Sequence, residues 1–254
     1  MKQFIVFTKK EFFESAATFK LYILLAAFLI FGMMSPLLAK LLPDILKSVN
    51  LEGMIIEIPE SSAIDSWTQF FKNVGQMGML VLAIIFSGIM ANEFSKGTLV
   101  NLLTKGLSRK NVILSKFFSA TMIWTIAYLL CFGICYAYTA YFWEEVGISH
   151  GFLTFAAPWL FGELLIAVLM LGGTLFSNFY GSLLSSIVVV IVLNLISLIP
   201  NSAKYNPASL AGGTLALLTE AAKPSDFIPA VIVCSVLIVA LIVETIIVFN
   251  HKKI

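Results

Sequence analysis

The chain has 254 residues, 59% of them hydrophobic and 12% charged, with a formal net charge of +2. Soluble domains carry about a quarter charged residues, so this composition excludes a soluble globule and points to the membrane class. Nucleic-acid binding is excluded too, because the basic residues sit along membrane borders and not on one concentrated face.

Residues 1–20 read as an amphipathic helix lying in the membrane interface. Phe4, Ile5, Phe12, Ala16 and Phe19 share one broad face, and Gln3, Lys10, Glu11, Glu14 and Thr18 fall opposite. Phe7 and Lys9 break that pattern. No cleavable signal is expected, since the first apolar run starts only at Leu21. A first span is predicted at residues 21–42, with Pro36 and Lys40 near its far end. Residues 43–73 hold Asp44, Glu52, Glu57, Glu60 and Asp65, with Pro59, Ser61 and Ser62, and read as a polar loop outside the membrane.

The second span is predicted at residues 74–92. Its small residues Gly75, Gly78, Ser87 and Gly88 are expected at helix-packing faces. Residues 93–116 form a basic connector with Lys96, Lys105, Arg109, Lys110 and Lys116. The third span, residues 117–142, ends in an aromatic belt of Tyr136, Tyr138, Tyr141, Phe142 and Trp143. Residues 143–156 form a short loop with Glu144, Glu145 and His150. Two further spans follow at residues 157–176 and 182–199, joined by a tight turn. Residues 200–227 are polar or small, and residues 209–222 are expected to form a short helix at or dipping into the membrane surface. The sixth span, residues 228–249, is closed by His251, Lys252 and Lys253.

Six spans place both ends of the chain on one side. Eleven of the sixteen Lys and Arg residues fall on that side: Lys2, Lys9, Lys10, Lys20, the five of the connector, Lys252 and Lys253. The positive-inside rule then makes the termini and residues 93–116 cytoplasmic, in the inner or plasma membrane, and leaves loops 43–73, 143–156 and 200–227 extracellular. The two halves show no internal repeat, which counts against an inverted-repeat carrier.

No enzymatic constellation stands out, so no catalytic, metal or cofactor site is expected. His150 and His251 fall on opposite sides of the membrane and cannot share a metal. Cys131, Cys135 and Cys234 lie in apolar runs and read as buried free thiols. A phosphate-cradling G-x-x-x-x-G-K-[ST] run is absent, so ATP and Mg, if used, belong to another polypeptide. Glu163 and Glu244 lie inside spans, each about six residues or roughly 9 Å from a span end. Intramembrane carboxylates are functional candidates by default; snorkelling or an interhelical hydrogen bond is the plainer reading.

The connector carries more information. Phe94, Leu99, Leu102 and Leu103, interleaved with Ser95, Lys96, Asn101 and Thr104, fit a short interfacial helix. Gly106 ends it, and Ser108 is placed to cap a helix running into the third span. A helix–break–helix connector suits rigid docking. Glu93 can pair with a partner's cation or cap the next helix, Gly97 is expected to leave room for close approach, and Arg109 offers a planar fork.

The run E-x-x-x-G-T-L-x-x-L-L-T-x-x-L-S-R, Glu93 to Arg109, followed by Lys116, resembles the cytoplasmic segment of type 2 ABC exporter permeases. The six spans, the amphipathic N-terminus and the long segment before the sixth span extend the resemblance over nearly the whole chain. That family often has Pro before L-S-R, whereas Lys105-Gly106 stand here. A looser resemblance is to the permeases of phenol-soluble-modulin exporters. The resemblance implies an all-α membrane subunit that contacts a separate ATPase through Glu93, Gly97, Thr98, Leu102 and Arg109. It also implies a second permease subunit, as homo- or heterodimer, and a hydrophobic or amphipathic substrate such as a peptide, lipid or drug-like molecule. A membrane scaffold or sensor, or a secondary carrier, are the rival readings.

Overall fold

The computed structural model describes residues 2–48, 60–104, 106–144, 148 and 151–252. Glu52, Glu57, Pro59, Lys105, Glu145, His150 and Lys253 lie outside the described residues. Within those described, the fold is all-α, and six helices are long and apolar enough to cross a membrane.

Helix α1 (Lys2–Ala17) leads through a turn into α2 (Lys20–Ser48). Phe19 makes that turn in the left-handed region, with φ of 60°. The face of α1 that meets the protein differs from the expected one. Phe7, Thr8 and Glu11 are buried, whereas Ile5, Val6 and Phe13 are exposed. The packed stripe has 7, 8 and 11 buried and 4, 12 and 15 half-buried, so Phe7 belongs to the packed face, and the acid Glu11 sits within it.

The polar loop expected over residues 43–73 is shorter than that. α2 continues to Ser48 through Pro36 and Pro43, and the next rod, α3 (Ala63–Ser95), starts eleven residues before the expected span. Ser62 opens it: its backbone N–H donates to the Asp65 carboxylate at 2.8 Å, a helix-start contact. Ala63, Ser66, Trp67, Phe70, Phe71 and Val74 then form a buried stripe at helical spacing. Averaged composition hid this period, because Asp65 and Lys72 occupy the other face. The rod passes through a π-helical turn at Val74–Gly78. There Gly78 lies against the Phe28 ring, where a Cβ would sit 3.0 Å from ring carbon.

After α3 comes α4 (Thr98–Thr104), then α5 (Arg109–Phe142), which begins eight residues before the expected third span. Ser108 caps α5 as expected, its hydroxyl accepting from the Asn111 N–H at 3.3 Å. Helix α6 (Gly151–Phe176) is also longer than predicted, because Pro158 is accommodated within it. Helix α7 (Phe179–Ser197) starts at the Asn178 cap, whose side chain accepts from the Gly181 N–H at 2.6 Å. The expected short helix over residues 209–222 is two pieces, α8 (Ser209–Gly212) and α9 (Thr214–Leu218). Leu210, Leu217 and Leu218 of these pieces are buried. Helix α10 (Pro224–His251) completes the bundle.

α6 is the most buried span, packed by α3, α5, α7 and α10, while α7 and α10 leave most of their surface outside the bundle. Trp67, Phe70 and Phe71 of α3, Tyr128 and Phe132 of α5 and Phe155 of α6 form an aromatic cluster. It lies toward the end of the bundle away from the termini and locks α3, α5 and α6 there. The other end, where α1, α4 and both termini gather, is held by charges.

Candidate functional site

Three elements meet at the termini end. α1 contributes Glu11, α3 contributes Glu93, and α5 contributes Lys116. The Lys116 ammonium lies 2.7 Å from a Glu11 oxygen and 2.8 Å from a Glu93 oxygen. Lys116 is 2% exposed and Glu93 5%. A buried charge survives only when paired and hydrogen-bonded, and this lysine is shared by two acids. Glu93 also accepts from the Thr98 hydroxyl at the start of α4. On the outer side, Lys10 bridges Glu14 and Glu11 and comes within 3.7 Å of Glu93. Burial works against the Lys10 charge, but the Glu14 hydrogen bond and the nearby Glu11 and Glu93 outweigh it and raise Lys10 above the ordinary lysine value. The cluster thus ties the N-terminal helix, the α3–α4 corner and α5 into one unit.

A cavity of about 390 Å³ lies beside the cluster. Ile85, Phe86, Ile89, Ala120 and Ile123 form its apolar side, and Lys10, Glu14, Thr18 and Asn92 its polar side. The Glu11, Glu14 and Glu93 carboxylates approach one another closely. Lys10 and Lys116 already stand among them, so the donor set is a salt-bridge network and not an open metal cage.

Arg109 is used inside the protein. Its guanidinium donates to the Phe249, Asn250 and Lys252 carbonyls at the end of α10 and lies 5.4 Å from the centre of the Phe249 ring. Helix C-termini leave carbonyls unpaired, and a cation there satisfies them. Lys252 does the same for α6, donating to the Thr174 and Leu175 carbonyls, and its ammonium lies 4.7 Å from the Phe94 ring centre. Burial lowers Lys252 below the ordinary lysine value. These contacts join the start of α5, the end of α3 and the ends of α6 and α10.

The expected coupling residues therefore separate. Glu93 and Arg109 face inward partners. Gly97 is not a site of close approach: a Cβ there would meet nothing within 4 Å. Glycine is required by its φ of 64°, which turns α3 into α4. Thr98 joins the cluster through Glu93, and the side chain of Leu102 lies outside the described residues. Leu99 is buried, while Val100 on the outer side of α4 is exposed.

The intramembrane acids differ from each other as well. Because α6 starts at Gly151, Glu163 is near its middle and not six residues from its end. It is 4% exposed and does not snorkel; the Thr121 hydroxyl donates to its Oε2 at 2.6 Å. Glu244 is exposed on α10 and has no ion pair among the described residues.

No family model matches the chain. It is similar to an uncharacterized transmembrane protein, YxlG, of Bacillus subtilis (strain 168), at 23% identity over 213 residues, covering 83% of each chain. Six long apolar helices and this similarity agree. The chain is a multi-pass transmembrane protein. Sequence reasoning missed Glu11 and Lys10 and gave Lys116 no partner. The available signal was an acid at a 7-8-11-12-15 stripe in a phenylalanine-rich helix.

Proposed function

We propose that this chain is the membrane subunit of an ATP-driven ABC exporter, working as a dimer with a separate cytoplasmic ATPase. In this reading the termini and α4 face the cytosol of the inner or plasma membrane, and a hydrophobic or amphipathic substrate moves outward. The observation that supports it best is the buried Glu11–Lys116–Glu93 network. A push on α4 reaches Glu93 through Thr98, and from Glu93 passes to both α1 and α5. The docking surface is then the outer side of α4 around Val100, with Glu93 and Arg109 carrying movement inward from it. The chain itself hydrolyses nothing; ATP and Mg belong to the partner.

The test is coexpression with an ATPase encoded beside this gene, followed by copurification and substrate-stimulated hydrolysis. Val100→Glu should abolish copurification while the purified subunit stays folded. An ATPase that copurifies equally with the wild type and this variant, or none at all, removes the reading.

A further inference from the structure

A groove of about 470 Å³ runs between α5 and α6 on the half of the bundle away from the termini. Tyr128 and Phe132 of α5 and Phe152, Phe155 and Trp159 of α6 line it. Small-molecule sites span about 300–1,000 Å³, and aromatic faces attract cations. Along the two helices the polar contacts form successive rungs. The Trp159 indole N–H donates to the Thr125 hydroxyl at 3.0 Å. One turn further, Thr121 donates to Oε2 of Glu163. Oε1 of that buried carboxylate has no partner, and no Lys, Arg or His pairs with it among the described residues. The acid lies about one helical turn, roughly 5 Å, beyond the end of the groove.

Lipid tails alone would fill an apolar groove and would gain nothing from an acid beside it. A carboxylate at this depth is costly unless a positive charge meets it. We propose that the groove and Glu163 form one binding site for a lipophilic organic cation. The apolar body lies among the aromatic rings, and the cationic centre faces the free oxygen of Glu163 once the Trp159 ring swings away from Thr125. The inference rests on the exporter reading only in treating this ligand as cargo.

Equilibrium dialysis of the purified protein in detergent, with no ATPase present, tests it. The probes are tetraphenylphosphonium and its anion of like shape, tetraphenylborate. The wild type should bind the cation saturably and show no saturable binding of the anion. Glu163→Gln keeps the size and the Thr121 contact and should bind at least about tenfold more weakly, within the range for a lost buried charge pair. Phe152→Ala removes a ring that is 90% exposed, so it does not disturb the core; it should weaken binding by about threefold. Equal binding of both probes, uptake by the micelle only, or wild-type affinity in Glu163→Gln overturns the proposal. None of these outcomes bears on whether an ATPase docks at α4.

Discussion

The Lys116 ammonium and the Glu93 carboxylate lie 2.8 Å apart and are both buried, although they leave different membrane helices. Glu11 completes the arrangement from a third element. Removing one member of such a network leaves a stranded charge, and this typically costs about 3–5 kcal/mol. Lys116→Met should therefore lower stability by about that amount in thermal unfolding in detergent. Adding Glu11→Gln and Glu93→Gln to it should recover most of the loss, because no unpaired charge remains. A single variant as stable as the wild type would show that the network contributes nothing.

Arg109 should act as a cap. Arg109→Ala leaves the carbonyls at the end of α10 unpaired, at a cost of about 1–3 kcal/mol. Arg109→Lys should restore only part: the three contacts run from the single nitrogen Nη1, but a lysine lacks the planar guanidinium that lies over the Phe249 ring. Hydrogen–deuterium exchange is the measurement. Amides near the end of α10 should exchange faster in the alanine variant, and unchanged protection there would remove the capping role.

Gly97 and Gly106 have φ of 64° and 86°, and neither has a neighbour that a Cβ would strike. Substitution should cost backbone strain alone, about 1–2 kcal/mol for alanine. Asparagine should cost less and valine more, since asparagine tolerates the left-handed region and β-branched residues do not. A scan of these three residues at position 97 reads the order from unfolding midpoints. A flat response would mean that the corner relaxes to another conformation.

The cation count predicts an orientation, and thiol labelling tests it. The three cysteines are buried, so introduced thiols can be read against a quiet background. In intact cells an impermeant maleimide should label Tyr141→Cys, a position 82% exposed at the far end of α5, and should leave Lys110→Cys unlabelled until the cells are opened. The reverse pattern inverts the topology and removes α4 from the reach of a cytoplasmic ATPase.

The spans were legible because hydrophobic length is a coarse property, set by the thickness of the membrane. Their starts were less so. Trp67, Phe70 and Phe71 were absorbed into a loop because Asp65 and Lys72 diluted the composition around them. That same error in helix length displaced Glu163, which sits at mid-helix once Gly151 is the start. The connector's break and cap at Gly106 and Ser108 were readable because each is a local requirement of one residue type. The partners of Glu93 and Arg109 were not, since Lys116 and Lys10 reach Glu93, and Phe249 reaches Arg109, only through packing. A charge near a membrane exit looks the same in sequence whether it faces the cytosol or another helix.

The order of the cluster along the chain has a consequence for biosynthesis. The ribosome makes Glu11 first, Glu93 next and Lys116 last. α1 packs chiefly against α5, so while α5 is still in the exit tunnel α1 lacks both that face and Lys116, and the two carboxylates have only Lys10 between them. Arrival of α5 supplies both, so the N-terminal helix should settle late, after the third span has entered the membrane. Assembly at this corner is therefore timed by translation, and nascent chains halted before residue 116 should keep α1 open to protease, whereas chains halted well beyond it should not.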